Sequence, residues 1–195
     1  MPMDALTCLL TRRSIPRLVE PGPDTDHLSV LLTAAVAAPD HGQLRPWRFM
    51  TFRGDGRKDL GAVFGRAHAS REPQADPGAV EKTVGKPLRA PLVVAVICSP
   101  RTAEQAWNGK HIPVWEQTAA VAAATQNLCL AAHALGYGAM WRTGWYGDAP
   151  EVRHALSLDP AEHVVGWVYL GTIPAGVTLA PRRPTDLDER VTAWE

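Results

Sequence analysis

Cysteine is scarce in this chain. Only Cys8, Cys98 and Cys129 occur in 195 residues, far apart, with no C-x-x-C pair and no His/Cys cluster. That excludes a disulfide scaffold and the common zinc motifs, and an odd, sparse set of thiols suits a reducing compartment. An excess of either charge is also missing. Lys+Arg and Asp+Glu stand at 20 each, so no global field points to nucleic acid or to an anionic membrane. Long apolar runs are absent too: Ala119 to Ala124 meets Thr125, Gln126 and Asn127 too soon to span a bilayer. The opening MPMDALTCLLTRRS holds an apolar stretch too short for a signal peptide. The expectation is a soluble, cytoplasmic protein. No G-x-G-x-x-G follows a strand, and G-x-x-x-x-G-K-[ST], H-E-x-x-H and G-x-S-x-G do not occur. The seven histidines fall at no metal-ligand spacing, so no metal site is expected. No catalytic side chain stands out, and a bound cofactor is left to carry any hard chemistry.

What is present suits one domain. Hydrophobic residues make up 46%, enough for an ordinary core, and the seven tryptophans are many for this length. Apolar spacing predicts helices over about 4–13, over the segment that follows Asp24 or Thr25 and stops at Pro39, over about 57–66, and over about 114–135 with Gly136 as its stop. The last is rich in alanine and suits close approach to another helix, as at a subunit interface. PWRFMTFRG alternates like a strand, while APLVVAVICSP and HVVGWVYLGTIP read as strands buried on both faces. GYGAMWRTG begins as a strand and turns at Gly144, and APEVRHALSL is a short helix with Pro150 near its first turn. The polar, Pro- and Gly-bearing stretch 67–89 reads as a mobile excursion with one short helix. The expected layout is one domain over residues 1–174 and a C-terminal extension over 175–195. The class is α+β, with a mixed sheet of about four or five strands flanked by helices and no regular βαβ alternation.

Three constellations carry candidate chemistry. Arg12-Arg13-Ser14 follows the first helix; it is either a cationic helix end or an anion clamp of two guanidinium forks and a hydroxyl. APDHGQLRPWRF presents Asp40, His41, Gln43 and Arg45 on a loop, which is either a tight connection or a functional loop. MWRTG, Met140 to Gly144, ends a strand, and is either an edge tryptophan beside a solvated arginine or part of a ligand site beyond the strand end.

In order along the chain stand RRSIPRL, AAPDHGQLRPWRF, WEQ at the start of a long small-residue helix, GYGAMWRTG and VGWVYLGTIP. Together they resemble the nitroreductase family of FMN-dependent oxidoreductases, in particular its small, minimal branch. The likeness runs from about Asp4 to Pro174 and is weakest over 67–89 and the tail. It implies a nitroreductase-like fold and an intertwined homodimer with two FMN sites at the interface. By position, Arg12, Arg13 and Ser14 would hold the phosphate, the ribityl chain and the pyrimidine edge. His41 would reach the flavin of the neighbouring subunit. Trp141, Arg142 and Thr143 would complete the pocket, Gly144 would admit the ring, and Pro46 and Trp47 would wall it. The chain departs from the pattern where many relatives have Asn and Gln at the positions of Gln43 and Arg45, and where some have an arginine in place of Ala37. Arg45 is the candidate substitute for that arginine.

The resemblance implies ping-pong hydride transfer from NAD(P)H, through flavin N5, to flat electron-poor acceptors such as nitroaromatics or quinones, without a general base. The tail would pack on the partner subunit. Two rival readings remain: an FMN-binding storage or sensing protein without efficient turnover, and a helical dimerisation module without cofactor. No motif in the sequence chooses between NADH and NADPH.

Overall fold

The structure, a computed structural model, describes residues 3–179, 182 and 185–194. Part of the predicted extension (180, 181, 183, 184 and 195) lies outside these. Four strands, β1 (Trp47–Arg53), β2 (Leu92–Cys98), β3 (Gly138–Arg142) and β4 (His163–Gly171), form one sheet in the order β1-β2-β4-β3. Each neighbouring pair is antiparallel. The expected mixed sheet is therefore corrected. The parallel contribution comes from an isolated bridge between Ser14 and Ala139, outside the named strands. Strand number and helical flanking agree with expectation.

β2 is buried along its whole length because it is apolar on both faces. Val93, Ala95 and Ile97 join one core with Phe64, Trp167 and Tyr169. Leu92, Val94 and Val96 join the other with Leu31, Val121 and Leu128. Helices α3 (Asp55–Arg71) and α6 (Pro150–Ala155) cover the first face, and α2 (Thr25–Val36) and α5 (Val114–Ala134) the second. A short α1 (Ala5–Thr11) leans on α5 through Cys8, whose thiol donates to the Leu130 carbonyl.

Helix ends follow local chemistry. The Asp4 and Asp24 carboxylates accept from the Thr7 and His27 amides at 3.1 and 2.8 Å, which settles the α2 cap in favour of Asp24. α5 ends where Gly136 takes φ +84°; its amide reaches the His133 carbonyl, and the Tyr137 amide reaches that of Ala132 at 2.8 Å. This is a Schellman stop, and it feeds the chain directly into β3.

Residues 67–89 contain the expected short helix and more regular structure besides. They carry the end of α3, then α4 (Pro77–Val84), then a 3-10 turn over Lys86–Arg89. Ala67, Thr83 and Pro87 are buried. Glycines let α4 lie close to α3: a Cβ on Gly61 would stand 2.4 Å from the Val84 carbonyl oxygen.

Candidate functional site

The segment after α1 runs along the free edge of β3. Ser14 bridges Ala139, the Ile15 amide donates to the Ala139 carbonyl at 3.0 Å, and Val19 pairs with Thr172. These contacts hold Arg12 and Arg13 in a cleft with Tyr137, Gly138 and the α5 residue His133. Arg12 is half-buried, and its Nε is buried without a hydrogen-bond partner. Ser14 is exposed. From the C-terminal segment Arg182 donates to the Leu9 and Arg12 carbonyls, bringing a third guanidinium to the same corner.

Arg142 ends β3 on the opposite sheet face from Trp141, as strand alternation requires. Its Nη2 donates to the Pro16 carbonyl at 3.1 Å, tying it to the Arg12–Ser14 segment. Its guanidinium lies 5.5 Å from the Tyr169 ring centroid, and its Nε is buried and unpaired. The Tyr169 hydroxyl beneath it is also buried without a partner, and burial pushes that phenol well up, so it is neutral. Lys86 sits 4.8 Å over the Tyr146 ring. Burial, then the Arg89 and Arg142 charges, push its ammonium below the ordinary lysine value. Lys86, Arg89 and Arg142 thus lie near enough for their charges to act on one another, and none has a carboxylate within salt-bridge reach among the described residues. Clustered cations without counter-ions cost energy unless an anion joins them.

Trp141 is half-buried and has its polar need met: Nε1 donates to the Val165 carbonyl at 3.4 Å, over Gly166, where a Cβ would collide with the indole. Thr143 and Gly144 are exposed at the turn. Gly144 is extended, and a Cβ there would come within 2.9 Å of the Tyr146 ring, so its small size serves that aromatic contact as well as any ligand.

His41 lies elsewhere. It opens a 3-10 turn between α2 and β1, and its Nδ1 pairs with Glu116 at 2.7 Å at the start of α5. The Arg12 cleft meets His133, near the end of the same helix. At 1.5 Å per residue the two ends stand about 25 Å apart. One chain therefore sets Arg12, Arg13 and Ser14 along the free edge of β3, with Arg142 tied to the same segment at the Pro16 carbonyl and Trp141, Thr143 and Gly144 adjoining it in sequence, and leaves His41 at a distance. Pro46 is buried, and Trp47 packs on the α2/α5 core near the His41 loop. Arg45 is exposed on that loop, where its amide bonds the Asp40 carboxylate. Gln43 and Arg45 take φ of +52° and +50°, a region that asparagine enters more readily than either.

A model described as the nitroreductase family matches residues 9–172. The chain belongs to the nitroreductase family. Among curated relatives, "Putative NAD(P)H nitroreductase YdjA" of Escherichia coli K12 is 37% identical over 170 residues, covering 87% of this chain and 88% of its own. A nitroreductase-like family protein from Bacillus cereus has the same fold, with a TM-score of 0.81 at 22% identity over 100% of this chain and 98% of its own. A "putative nitroreductase in complex with FMN" from Desulfovibrio desulfuricans aligns with a TM-score of 0.69 and 27% identity, over 98% of this chain and 96% of its own.

Within this nitroreductase-family chain, sequence reasoning missed Lys86, Arg89 and Arg182. GKPLRAP was read as loop, yet a Lys/Arg pair just before a fully buried strand must surface at that strand's end. The Arg182 signal was weaker: one of two arginines between prolines in a tail without core pattern.

Proposed function

We propose that this chain is an FMN-dependent NAD(P)H oxidoreductase acting on flat, electron-poor acceptors such as nitroaromatics and quinones, with its site assembled from two copies of the chain. One observation carries the reading: two buried guanidinium nitrogens, on Arg12 and Arg142, have no partner among the described residues and belong to residues along the β3 edge. Buried charged donors are rarely left unpaired in folded proteins, so they fit an anionic ligand. FMN offers a phosphate dianion, hydroxyls along a ribityl chain and a polar pyrimidine edge.

Bound FMN supplies a two-electron centre that takes hydride from a nicotinamide and passes it on. The chain's own residues do the rest. Arg12, Arg13 and Ser14 bind and orient the phosphate-bearing end. Lys86, Arg89 and Arg142 hold positive charge and stabilise negative charge placed among them. Trp141 and the Thr143–Gly144 turn limit what can stack beside the ring. His41, paired with Glu116 and about 25 Å from the clamp along α5, contributes to the site of the second copy. No general base is required of any side chain.

The purified protein should be yellow, bleach under argon on addition of NADH or NADPH, and recover colour with menadione or nitrofurazone, giving parallel-line kinetics. A colourless protein that takes up no added FMN would overturn the proposal. A yellow protein that neither nucleotide bleaches would replace it with FMN storage or sensing.

A further inference from the structure

His133 occupies the last turn of α5 and lines the cleft that holds Arg12 and Arg13. Its protonation pattern can be read from its neighbours. The Thr11 hydroxyl donates to the Thr7 carbonyl at 2.6 Å, so its one proton is committed. The same oxygen lies 2.8 Å from His133 Nε2 and must therefore accept from it. Nε2 carries the hydrogen, and Nδ1 is the nitrogen that titrates. Among the described residues Nδ1 has no hydrogen-bond partner.

The charges around it are lopsided. Arg12 and Arg13 come from the α1 side, and Arg182 from the C-terminal segment through the Arg12 carbonyl. Tyr137, leading into β3, is engaged through its hydroxyl with His27 at 2.8 Å. Cys129, one turn back on α5, has its thiol pushed up to about 11 by burial and is neutral. Among the described residues no carboxylate lines the cleft. Burial, then the Arg12 charge, lowers the His133 imidazole below its ordinary 6.5. Opposing this, the end of a 21-residue helix carries negative partial charge, which favours a cation on the last turn and disfavours an anion beside it. A phosphate in this cleft neutralises Arg12 and meets the helix's negative end, and both effects favour a proton on Nδ1.

We infer that His133 is a further binding residue for the phosphate end of the cofactor, and that it takes up a proton at Nδ1 when phosphate enters. The inference rests on the FMN reading above. Binding and protonation are thermodynamically linked: cofactor affinity gains from His133 at mildly acidic pH and loses that gain as pH rises.

The test is FMN titration of the apoprotein by flavin fluorescence across pH, in wild type and His133→Asn. The phosphate itself takes up a proton near about pH 6, so the readout is the difference between the two proteins. The expected result is wild-type binding about three- to tenfold tighter than the variant below about pH 6, with the curves converging above about pH 8. The NMR titration of the His133 imidazole in wild-type protein should move to higher pH on adding FMN or inorganic phosphate. This second measurement stands even if the variant fails to fold. Tight FMN binding with parallel pH profiles, or an imidazole that FMN leaves unmoved, overturns the role of His133 alone. Failure of wild type to bind FMN at any pH overturns both this and the proposed function.

Discussion

Arg12 and Arg48 both carry a guanidinium into half-buried positions, with opposite consequences. Arg48 is matched: its Nε and Nη2 donate to the two Glu162 oxygens at 2.9 and 2.6 Å, and Glu162 is only 5% exposed. Removing Arg48 takes away the cation that Glu162 faces and leaves the buried carboxylate only the Asp159 amide, at 3.1 Å, among these contacts. Arg48→Leu is expected to cost about 1–3 kcal/mol, less than for a fully buried pair because the Arg48 side chain is 36% exposed, seen as a drop in melting temperature. The Arg48 hydrogen bond is also the chief reason the Glu162 carboxyl sits below its ordinary 4.5. A carboxyl lowered in the folded state adds stability above its unfolded value, and that stability drains away as pH falls through the folded value. Melting curves should therefore show acid loss setting in below about pH 4.5, with a shallower slope in Glu162→Gln. A variant as acid-sensitive as wild type would dismiss this pair as the cause. Arg12 is unmatched at Nε. Arg12→Ala should leave melting of the apoprotein nearly unchanged while weakening FMN by about 1.5–3 kcal/mol, roughly ten- to a hundredfold in the dissociation constant. Unchanged FMN affinity in that variant would remove the clamp from the site.

The packing of α4 on α3 depends on how close two backbones come. Gly61 faces the Val84 carbonyl, whose oxygen would stand 2.4 Å from an added Cβ, whereas at Gly65 the Cβ would meet a Val84 methyl at 2.6 Å and at Gly56 nothing within 4 Å. Alanine gains up to about 1 kcal/mol over glycine in a helix interior, but overpacking costs about 1–3 kcal/mol. Thermal melts should therefore rank Gly56→Ala above wild type, then Gly65→Ala, then Gly61→Ala, and any other order would refute this close approach. The same glycines lie inside the helix that the sequence predicts over about 57–66; its continuation to Arg71 was not legible. Gly61, Gly65 and Ala67 form much of the buried side of α3, and they give almost no hydropathy signal although they are core. β2 was legible because both of its faces are apolar, and the α5 stop because Gly136 carries its own turn chemistry. The antiparallel order β1-β2-β4-β3 was not, since strand pairing joins residues far apart in sequence. Arg12, Arg13 and Ser14 were found as a local cluster, and Arg142 by its place at a strand end. Lys86 and Arg89 meet Arg142 only after folding and leave no local mark.

At the scale of the whole molecule, the site as proposed needs two copies of the chain. Leu6 and Leu10 on α1 are each 69% exposed, and Cys8, Leu9, Ala34 and Leu130 line an apolar groove between α1, α2 and α5. A face of this kind marks an association surface in a stable protein. His41 and the Arg12 cleft lie near opposite ends of α5, about 25 Å apart, too far for one chain to offer both to the same end of a flavin. If two copies share each site, genetic complementation can detect it. Arg12→Ala and His41→Ala chains, carrying different affinity tags, are co-expressed and the mixed dimer is isolated. In either parent homodimer both sites are damaged. In the mixed dimer one site collects both substitutions, while the other combines an intact Arg12 with an intact His41. Tight FMN should therefore return to one site per mixed dimer, with the NAD(P)H oxidase rate per bound flavin of wild type. Were each site built within one chain, every site in the mixed dimer would carry a substitution, and its flavin content would match the average of the two parents.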